Sequence, residues 1–311
     1  MNAVKTISDK IISNISRVLY GKENELRLIT AAYIAGGHVL LEDLPGLGKT
    51  TAARALAASV SGSYKRIQFT PDLLPSDITG INYFNSAEGR FVFRPGPVFA
   101  NIVIADEINR ATPRTQSALL ECMAEGQVTV DAVTHRLDEP YLIIATENPV
   151  ESQGVFPLPE AQRDRFMIKL SLGYPSPGAE KQMLDRVPGE STSLAPVCTC
   201  DDILAARSEA EKIQVSDKIK EYIVRIANES RKSPALSLGV SPRASLALLG
   251  CARAWAAMDG REYVLPDDIK ALCVPVLAHR VIPSRRTNIL SSASGEEVIR
   301  SILDAVPSPV D

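Results

Sequence analysis

The chain is poor in aromatic residues, which make up 5% of its 311 positions, and it carries one tryptophan and three histidines. His38, His135 and His279 lie far apart with no ligand spacing, so nothing supports a zinc centre or a histidine-based triad. Excess positive charge is also lacking. Thirty-four lysines and arginines stand against 37 acids, a net charge of −3, so no broad basic field argues for nucleic acid as the default partner. No apolar run approaches the ~18 residues of a membrane span. The first residues scatter charge and hold no signal-peptide core, which leads us to expect a cytoplasmic protein. Five cysteines are an odd number in a long chain and read as reduced thiols. Cys198-Thr-Cys200 has the look of a metal half-site, but no second pair and no nearby histidine completes it. What remains is the ordinary composition of a globular protein, 45% apolar and 23% charged, long enough for two domains.

Against that plain background, residues 38–50 stand out: His-Val-Leu-Leu-Glu-Asp-Leu-Pro-Gly-Leu-Gly-Lys-Thr. An apolar strand runs into a glycine-turned loop ending in Gly48-Lys49-Thr50, the order of a phosphate cradle. Backbone N–H groups of such a loop point at an anion, the lysine reaches the β- and γ-phosphates, and the hydroxyl ligates Mg²⁺. A helix expected from Lys49 to Ser61, stopped by Gly62, aims its positive end at the same charge. Asp43 occupies the position where the motif asks for its first glycine. An acid beside phosphate repels, so Asp43 is expected to point away.

The rest of the chain supplies a frame for that loop. Apolar residues at Val4, Ile7, Ile11, Ile15 and Val18 repeat at helical spacing, and a second helix is predicted over Glu23–Ala35. Short apolar runs at Val39–Glu42, Arg66–Thr70, Asn101–Ala105, Tyr141–Ala145 and Phe166–Leu172 alternate with helices, which implies a parallel α/β sheet with ligands at the strand carboxyl ends. Two stretches break the alternation. Residues 80–99 predict a hairpin around a five-residue loop, Asn85 to Gly89, and residues 126–139 a second around Asp131-Ala132. Thr112 and Pro113 start the helix between them, with Thr112 as N-cap. After Leu172 the pattern turns helical with no convincing strand. Ser216, Ser241 and Pro266 mark helix starts, and Ser294 with Glu297 forms a capping box. The single Trp255, on a helix among Ala and Leu, reads as core. The division is residues 1–173 for the α/β part and 174–311 for a helical linker and lid.

Several residues carry candidate chemistry. Ile102-Val-Ile-Ala-Asp106-Glu107 delivers two acids at a strand end; Asp106 suits a hydrated Mg²⁺ and Glu107 suits polarisation of a water. The competing reading is a solvated strand end. Asn148 follows the strand Tyr141–Ala145, where an amide either orients the lytic water or makes a turn before Pro149. Arg163-Asp164-Arg165 is either a surface ion-pair cluster or the source of an arginine offered to a neighbouring subunit's γ-phosphate. Arg243 lies in the first turn of its helix, where a cation opposes the macrodipole; a bound phosphate or an ion pair would offset it.

Phosphate loop, Asp106-Glu107, Asn148, Arg165 and Arg243 fall in the order of the AAA+ ATPases. The phrases Leu44-Pro-Gly-Leu-Gly-Lys-Thr50, Asp106-Glu-Ile-Asn-Arg-Ala111, Thr115-Gln-Ser-Ala-Leu-Leu-Glu121, Ala145-Thr-Glu-Asn-Pro149 and Leu158-Pro-Glu-Ala-Gln162 resemble the MoxR branch of that family. The resemblance spans essentially the whole chain. It implies an AAA+ P-loop α/β core with a five-stranded parallel sheet, two β-hairpin inserts and a C-terminal all-α lid. It implies ATP and Mg²⁺, with nucleotide held by Gly21, Pro45, Gly46, Leu47, Gly48, Lys49, Thr50, Thr51, Asp106 and Arg243, and the metal by Thr50 and Asp106. Catalytic roles would fall to Glu107, to Asn148 as sensor 1, to Arg165 as a finger acting in trans, and to Arg243 as sensor 2 in cis. Arg163 stands where the family usually has an apolar residue, so the finger is Arg163 or Arg165, with Arg165 favoured. The resemblance also implies a homo-oligomeric ring, a hexamer, that remodels, matures or loads metal into a client protein complex, often with a von Willebrand factor A domain partner. Two rivals stay open: a nucleotide-dependent switch or scaffold, and a nucleic-acid-associated motor, which the acidic balance disfavours.

Overall fold

The computed structural model describes residues 2–44, 46–149, 155–185, 194–284 and 293–309. Its centre is a sheet of five parallel strands, β1 (Val39–Glu42), β3 (Tyr64–Gln68), β6 (Ile102–Asp106), β9 (Leu142–Glu147) and β10 (Ile168–Leu170), in the order β10-β1-β9-β6-β3. Alternate side chains divide between its faces. Val39, Leu41, Ile102, Ile104, Leu142 and Ile144 enter one apolar cluster; Leu40, Val103, Ala105, Ile143 and Ala145 enter the other. With both faces covered, the strands read as unbroken apolar runs, as parallel strands do.

The first cluster is the larger. It takes in α1 (Asn2–Ser16), α2 (Glu23–Ile34) and α3 (Lys49–Ser59) from the amino-terminal half, and α8 (Cys200–Glu211), α9 (Asp217–Lys232), α10 (Pro242–Met258), α11 (Pro266–Leu277) and α12 (Gly295–Ala305) from the other. Helix α10 buries Ala244, Ala252, Ala254, Ala256 and Ala257, small residues that let α1 and α2 approach its axis closely. The second cluster sits under α4 (Pro75–Thr79) and α5 (Pro113–Glu125). Two short helices, α6 (Glu160–Arg163) and α7 (Pro177–Leu184), flank β10. Ser216, Ser241 and Ser294 each accept a backbone N–H with the side-chain oxygen, and Glu297 returns the bond to the Ser294 N–H at 2.7 Å, completing the box.

Both expected hairpins form. β4 (Gly80–Asn85) pairs with β5 (Arg90–Pro95), and β7 (Gln127–Val130) with β8 (Val133–Arg136). The first loop is tighter than expected, because Asn85 already pairs with Arg90 and only residues 86–89 turn. The second turns on Asp131 and Ala132, both at positive φ (48° and 66°). The two hairpins lean on each other: Phe93 stacks on His135 with ring centroids 4.0 Å apart, and Asn82 Nδ2 donates to Asp131 Oδ2 at 2.8 Å.

Four details differ from the sequence reading. Helix α3 ends at Ser59, because Val60 turns extended and β2 (Val60–Ser61) pairs with β11 (Cys198–Thr199). The helical region holds a further small ribbon, β12 (Leu236–Leu238) against β13 (Ile282–Pro283), too short to show alternation. Thr112 caps α5 by position only; its hydroxyl meets Thr115 Oγ1 at 3.2 Å instead of a backbone N–H. Trp255 is half-buried, with the Arg27 guanidinium 4.3 Å over its ring.

Candidate nucleotide site

Strand register sets the site. Leu41 lies beside Thr146, Glu42 beside Glu147, and Gln68 beside Asp106, so the carboxyl ends of β1, β9, β6 and β3 finish level with one another. The loop from β1 to α3 crosses this edge with Gly46 at φ 83° and Gly48 at φ 88°, left-handed angles that favour glycine. A Cβ at Gly48 would also sit 2.9 Å from Leu19 Cδ1. Pro45 lies outside the described residues.

A cleft of about 360 Å³ opens over the loop, lined by Gly46, Gly48, Lys49, Thr50 and Thr51, by Asp106 and Glu107, and by Asn148, with Arg66, Gln68 and Thr146. Lys49 Nζ donates to the carbonyls of Asp43 (2.6 Å) and Glu147 (2.7 Å), tying β1 to β9. Its partial burial lowers its pKa, while the surrounding acids, Asp43 and Asp106 first, act in the opposite direction. Thr50 Oγ1 donates to Asp106 Oδ2 at 3.2 Å, and Thr146 Oγ1 to Asp106 Oδ1 at 2.7 Å. Arg66 adds two bonds to Oδ2, at 3.1 and 2.6 Å. Burial works to raise the Asp106 pKa, yet bonds from Thr146, Arg66 and Thr50 hold it below the ordinary value. Asp106 is therefore a carboxylate.

Glu107 takes a left-handed backbone (φ 57°, ψ 50°), a conformation that costs a non-glycine residue of order 1 kcal/mol or more. Its N–H donates to Thr146 Oγ1 at 2.8 Å, and Oε2 accepts from Gln68 Nε2 at 2.8 Å and pairs with Arg110 at 3.2 Å. Thr146 thus fixes both acids. Asn148 is 3% exposed, and its carbonyl accepts from Asn109 Nδ2 at 3.3 Å. A hydroxyl and a carboxylate within 3.2 Å of each other are hard oxygen donors of the kind Mg²⁺ takes, so Thr50 and Asp106 fit that ion.

Asp43 points away, as expected. Its buried carboxylate accepts from Ser171 Oγ (2.7 Å), the Leu172 N–H and the Gly173 N–H (3.3 Å). A second cavity of about 640 Å³ shares Gly46, Gly48 and Thr51 with the first and adds Leu47, Val18, Leu19, Tyr20, Tyr174, Met183 and Leu184. Gly21 is not on its wall; at φ 65° it makes the turn below, with Ala179 Cβ 3.1 Å from where its own Cβ would be.

Arg163, Arg165 and Arg243 are not brought to the cleft. Arg163 faces a separate cavity of about 220 Å³ with Glu42, Glu147 and Asn148. Burial and then Glu42 push the Glu147 carboxyl up to about 7, with Arg163, Lys169 and Lys49 opposing. Arg165 lines none of these three cavities. Arg243, 65% exposed, lies 3.9 Å from Asp164, so an ion pair offsets its place at the helix start. Sequence reasoning missed Arg66, Gln68 and Thr146. The i, i+2 spacing of Arg66 and Gln68 on a strand was the available signal.

Comparisons with known proteins give the chain's family. Residues 38–168 match the model of the ATPase family associated with various cellular activities (AAA), and residues 228–302 match the AAA lid domain. Chaperone MoxR1 of Mycobacterium tuberculosis is 37% identical over 97% of this chain and 82% of its own. Uncharacterized protein YeaC of Bacillus subtilis is 48% identical over 97% of this chain and 94% of its own. The crystal structure of a protein described as a candidate ATPase, from Cytophaga hutchinsonii, superposes with a TM-score of 0.89 at 36% identity, over 99% of this chain and 98% of that one.

Proposed function

This chain belongs to the MoxR family of AAA+ ATPases, and we propose that it spends ATP turnover in a ring to remodel or mature a client protein complex. The observation that carries the proposal is the convergence of Lys49, Thr50, Asp106, Glu107 and Asn148 on one cleft. Loop N–H groups and Lys49 receive the β- and γ-phosphates, for which Lys49 exchanges its two carbonyl partners. The base enters the neighbouring apolar cavity against Val18–Tyr20. Thr50 and Asp106 would hold Mg²⁺, which would supply neutralisation of the phosphate charge. Glu107 takes the proton of the attacking water, and Asn148 orients that water. Gln68 and Arg110 hold the Glu107 carboxylate until substrate arrives.

Arg165 is the residue offered across the ring. Arg163 is turned into its own subunit toward Glu147 and Asn148, which leaves Arg165 as the better candidate. Arg243 reads the γ-phosphate in cis, leaving Asp164 to do so. The hairpin β4–β5 exposes Ile81, Tyr83, Phe84 and Phe91, an apolar surface suited to grip a client as the lid swings. The proposal extends to a ring of six, a von Willebrand factor A domain partner and metal loading of the client; the name of the mycobacterial relative, Chaperone MoxR1, supports the remodelling part.

The test is Glu107→Gln, expected to lower turnover by about 10²–10⁴-fold with ATP affinity unchanged. An unaltered rate sinks the assignment of Glu107. The same variant, used as a trap in the native cell, should retain the client for identification.

A further inference from the structure

Asp164 is gripped from two sides by the helical half of the molecule. It sits on the turn after α6, between Arg163 and Arg165, with its N–H donating to Glu160 O at 3.2 Å. Arg280 follows α11 and is buried, its side chain 2% exposed; Nε lies 3.6 Å from Asp164 Oδ1. Arg280 Nη2 donates to the carbonyl of Phe166 at 2.6 Å, so one guanidinium holds the residues on both sides of Arg165. The second grip is Arg243, whose Nη1 lies 3.9 Å from Oδ2 while 65% of its side chain is exposed. The arrangement is under-bonded. Asp164 Oδ1 and Arg280 Nη1 are both buried without a hydrogen-bond partner, so the inner contact has room to shorten.

We propose that Asp164 is a positioning residue that couples Arg243 to Arg165. It deepens the reading above, since it rests on Arg243 meeting nucleotide in cis and Arg165 in trans. In the structure, Asp164 is shared between the loose outer arginine and the buried inner one. When phosphate draws Arg243 away, the carboxylate turns wholly to Arg280. The turn that carries Arg165 shifts with it, because Arg280 is bonded to Phe166. Nucleotide capture in one subunit thereby sets the arginine presented to the next. The two states differ by one ion pair, so the coupling is of the size that a ligand with differential affinity can drive.

The experiment is Asp164→Asn, measured by ATP-analogue binding and by turnover. Freed from its competitor, Arg243 should bind nucleotide about two- to five-fold tighter, the span an exposed ion pair commands. The gain should vanish in an Arg243→Ala background. Turnover should fall in the opposite sense, by about 10²-fold, the scale of an ångström's misplacement of a reacting group. Mixing with Glu107→Gln subunits, whose Arg165 is intact, should restore it. Asp164→Glu, which keeps the charge, should return affinity to the wild-type value. A general structural role predicts instead that affinity, turnover and melting temperature fall together. That result, or an affinity gain that survives Arg243→Ala, overturns the coupling. Lys49→Ala and Glu107→Gln run in parallel keep the two readings apart. If Lys49→Ala abolishes binding and Glu107→Gln lowers turnover at unchanged affinity while Asp164→Asn shows no opposite-sign effect, only the coupling has failed.

Discussion

Asp43 holds the first glycine position of the phosphate loop, yet its carboxylate is spent on the chain that leaves the sheet. Ser171, Leu172 and Gly173 all donate to it, so the residue fastens the loop's first turn to the exit from β10. Asp43→Ala leaves the buried Leu172 N–H and the part-buried Gly173 N–H without this acceptor and should cost ~1–3 kcal/mol in chemical denaturation. A midpoint equal to wild type argues against that anchoring. Glu147 gives a second test at this scale, through pH. Burial raises its carboxyl from 4.5 to about 7 in the folded chain. Between those values the folded state binds more protons than the unfolded one, so this group's stabilising share is lost as pH rises from about 4.5 to 7. Glu147→Gln should flatten that decline by up to roughly 3 kcal/mol, read from denaturation midpoints across the window. The same profile in both proteins excludes Glu147 as its source. Lys49, Thr50, Asp106 and Glu107 were legible in the sequence as residues of one cleft because their placement follows from local order, a strand and then a turn. Arg66 and Gln68 were not, because a polar residue on an exposed strand position looks the same whether it meets solvent or the acid of the next strand.

Elements were read best where a period or a turn defines them. Alternation around Asp131-Ala132 located β7 and β8 even though no glycine supports their turn, and serine caps fixed three helix starts. The ribbons of two and three residues escaped, since so short a pairing carries no period of its own and depends on a distant partner. The hairpin β4–β5 bears its own prediction. Phe84 and Phe91 pair across the strands with ring centroids 5.4 Å apart, and they are 54% and 71% exposed. Their contact gives the hairpin tip some rigidity, but most of each ring faces solvent. Replacing both with serine should therefore leave intrinsic ATP turnover within about two-fold, as exposed sites usually allow. Stimulation of turnover by the client should be lost. A stimulated rate equal to wild type would remove this hairpin from client contact.

At the scale of the molecule, the halves on either side of Leu172 share one apolar cluster, in which Val4, Ile11 and Leu26 join Leu248, Ile269 and Ile299. The sequence showed two compositional regions but not this shared core, because helical periodicity identifies a buried face without naming what covers it. Lys22 adds a polar tie, donating to the carbonyls of Leu172 and Tyr174 on the connection itself. The nucleotide cleft is built from strand ends and the phosphate loop, while Arg163, Arg165 and Arg243 all lie off its walls. In the proposed reading, the charges on the γ-phosphate would be completed by movement of Arg243 within the chain and by an arginine from outside it. If that outside arginine is Arg165 of a neighbour, turnover per chain must depend on protein concentration. Dilution below the assembly range should lower specific activity by the 10³–10⁵-fold that such an arginine contributes, while ATP affinity, set within one subunit, changes little. Arg165→Ala should show the low rate at every concentration. Constant specific activity down to the monomer, measured alongside light scattering, would mean that each chain completes its own site.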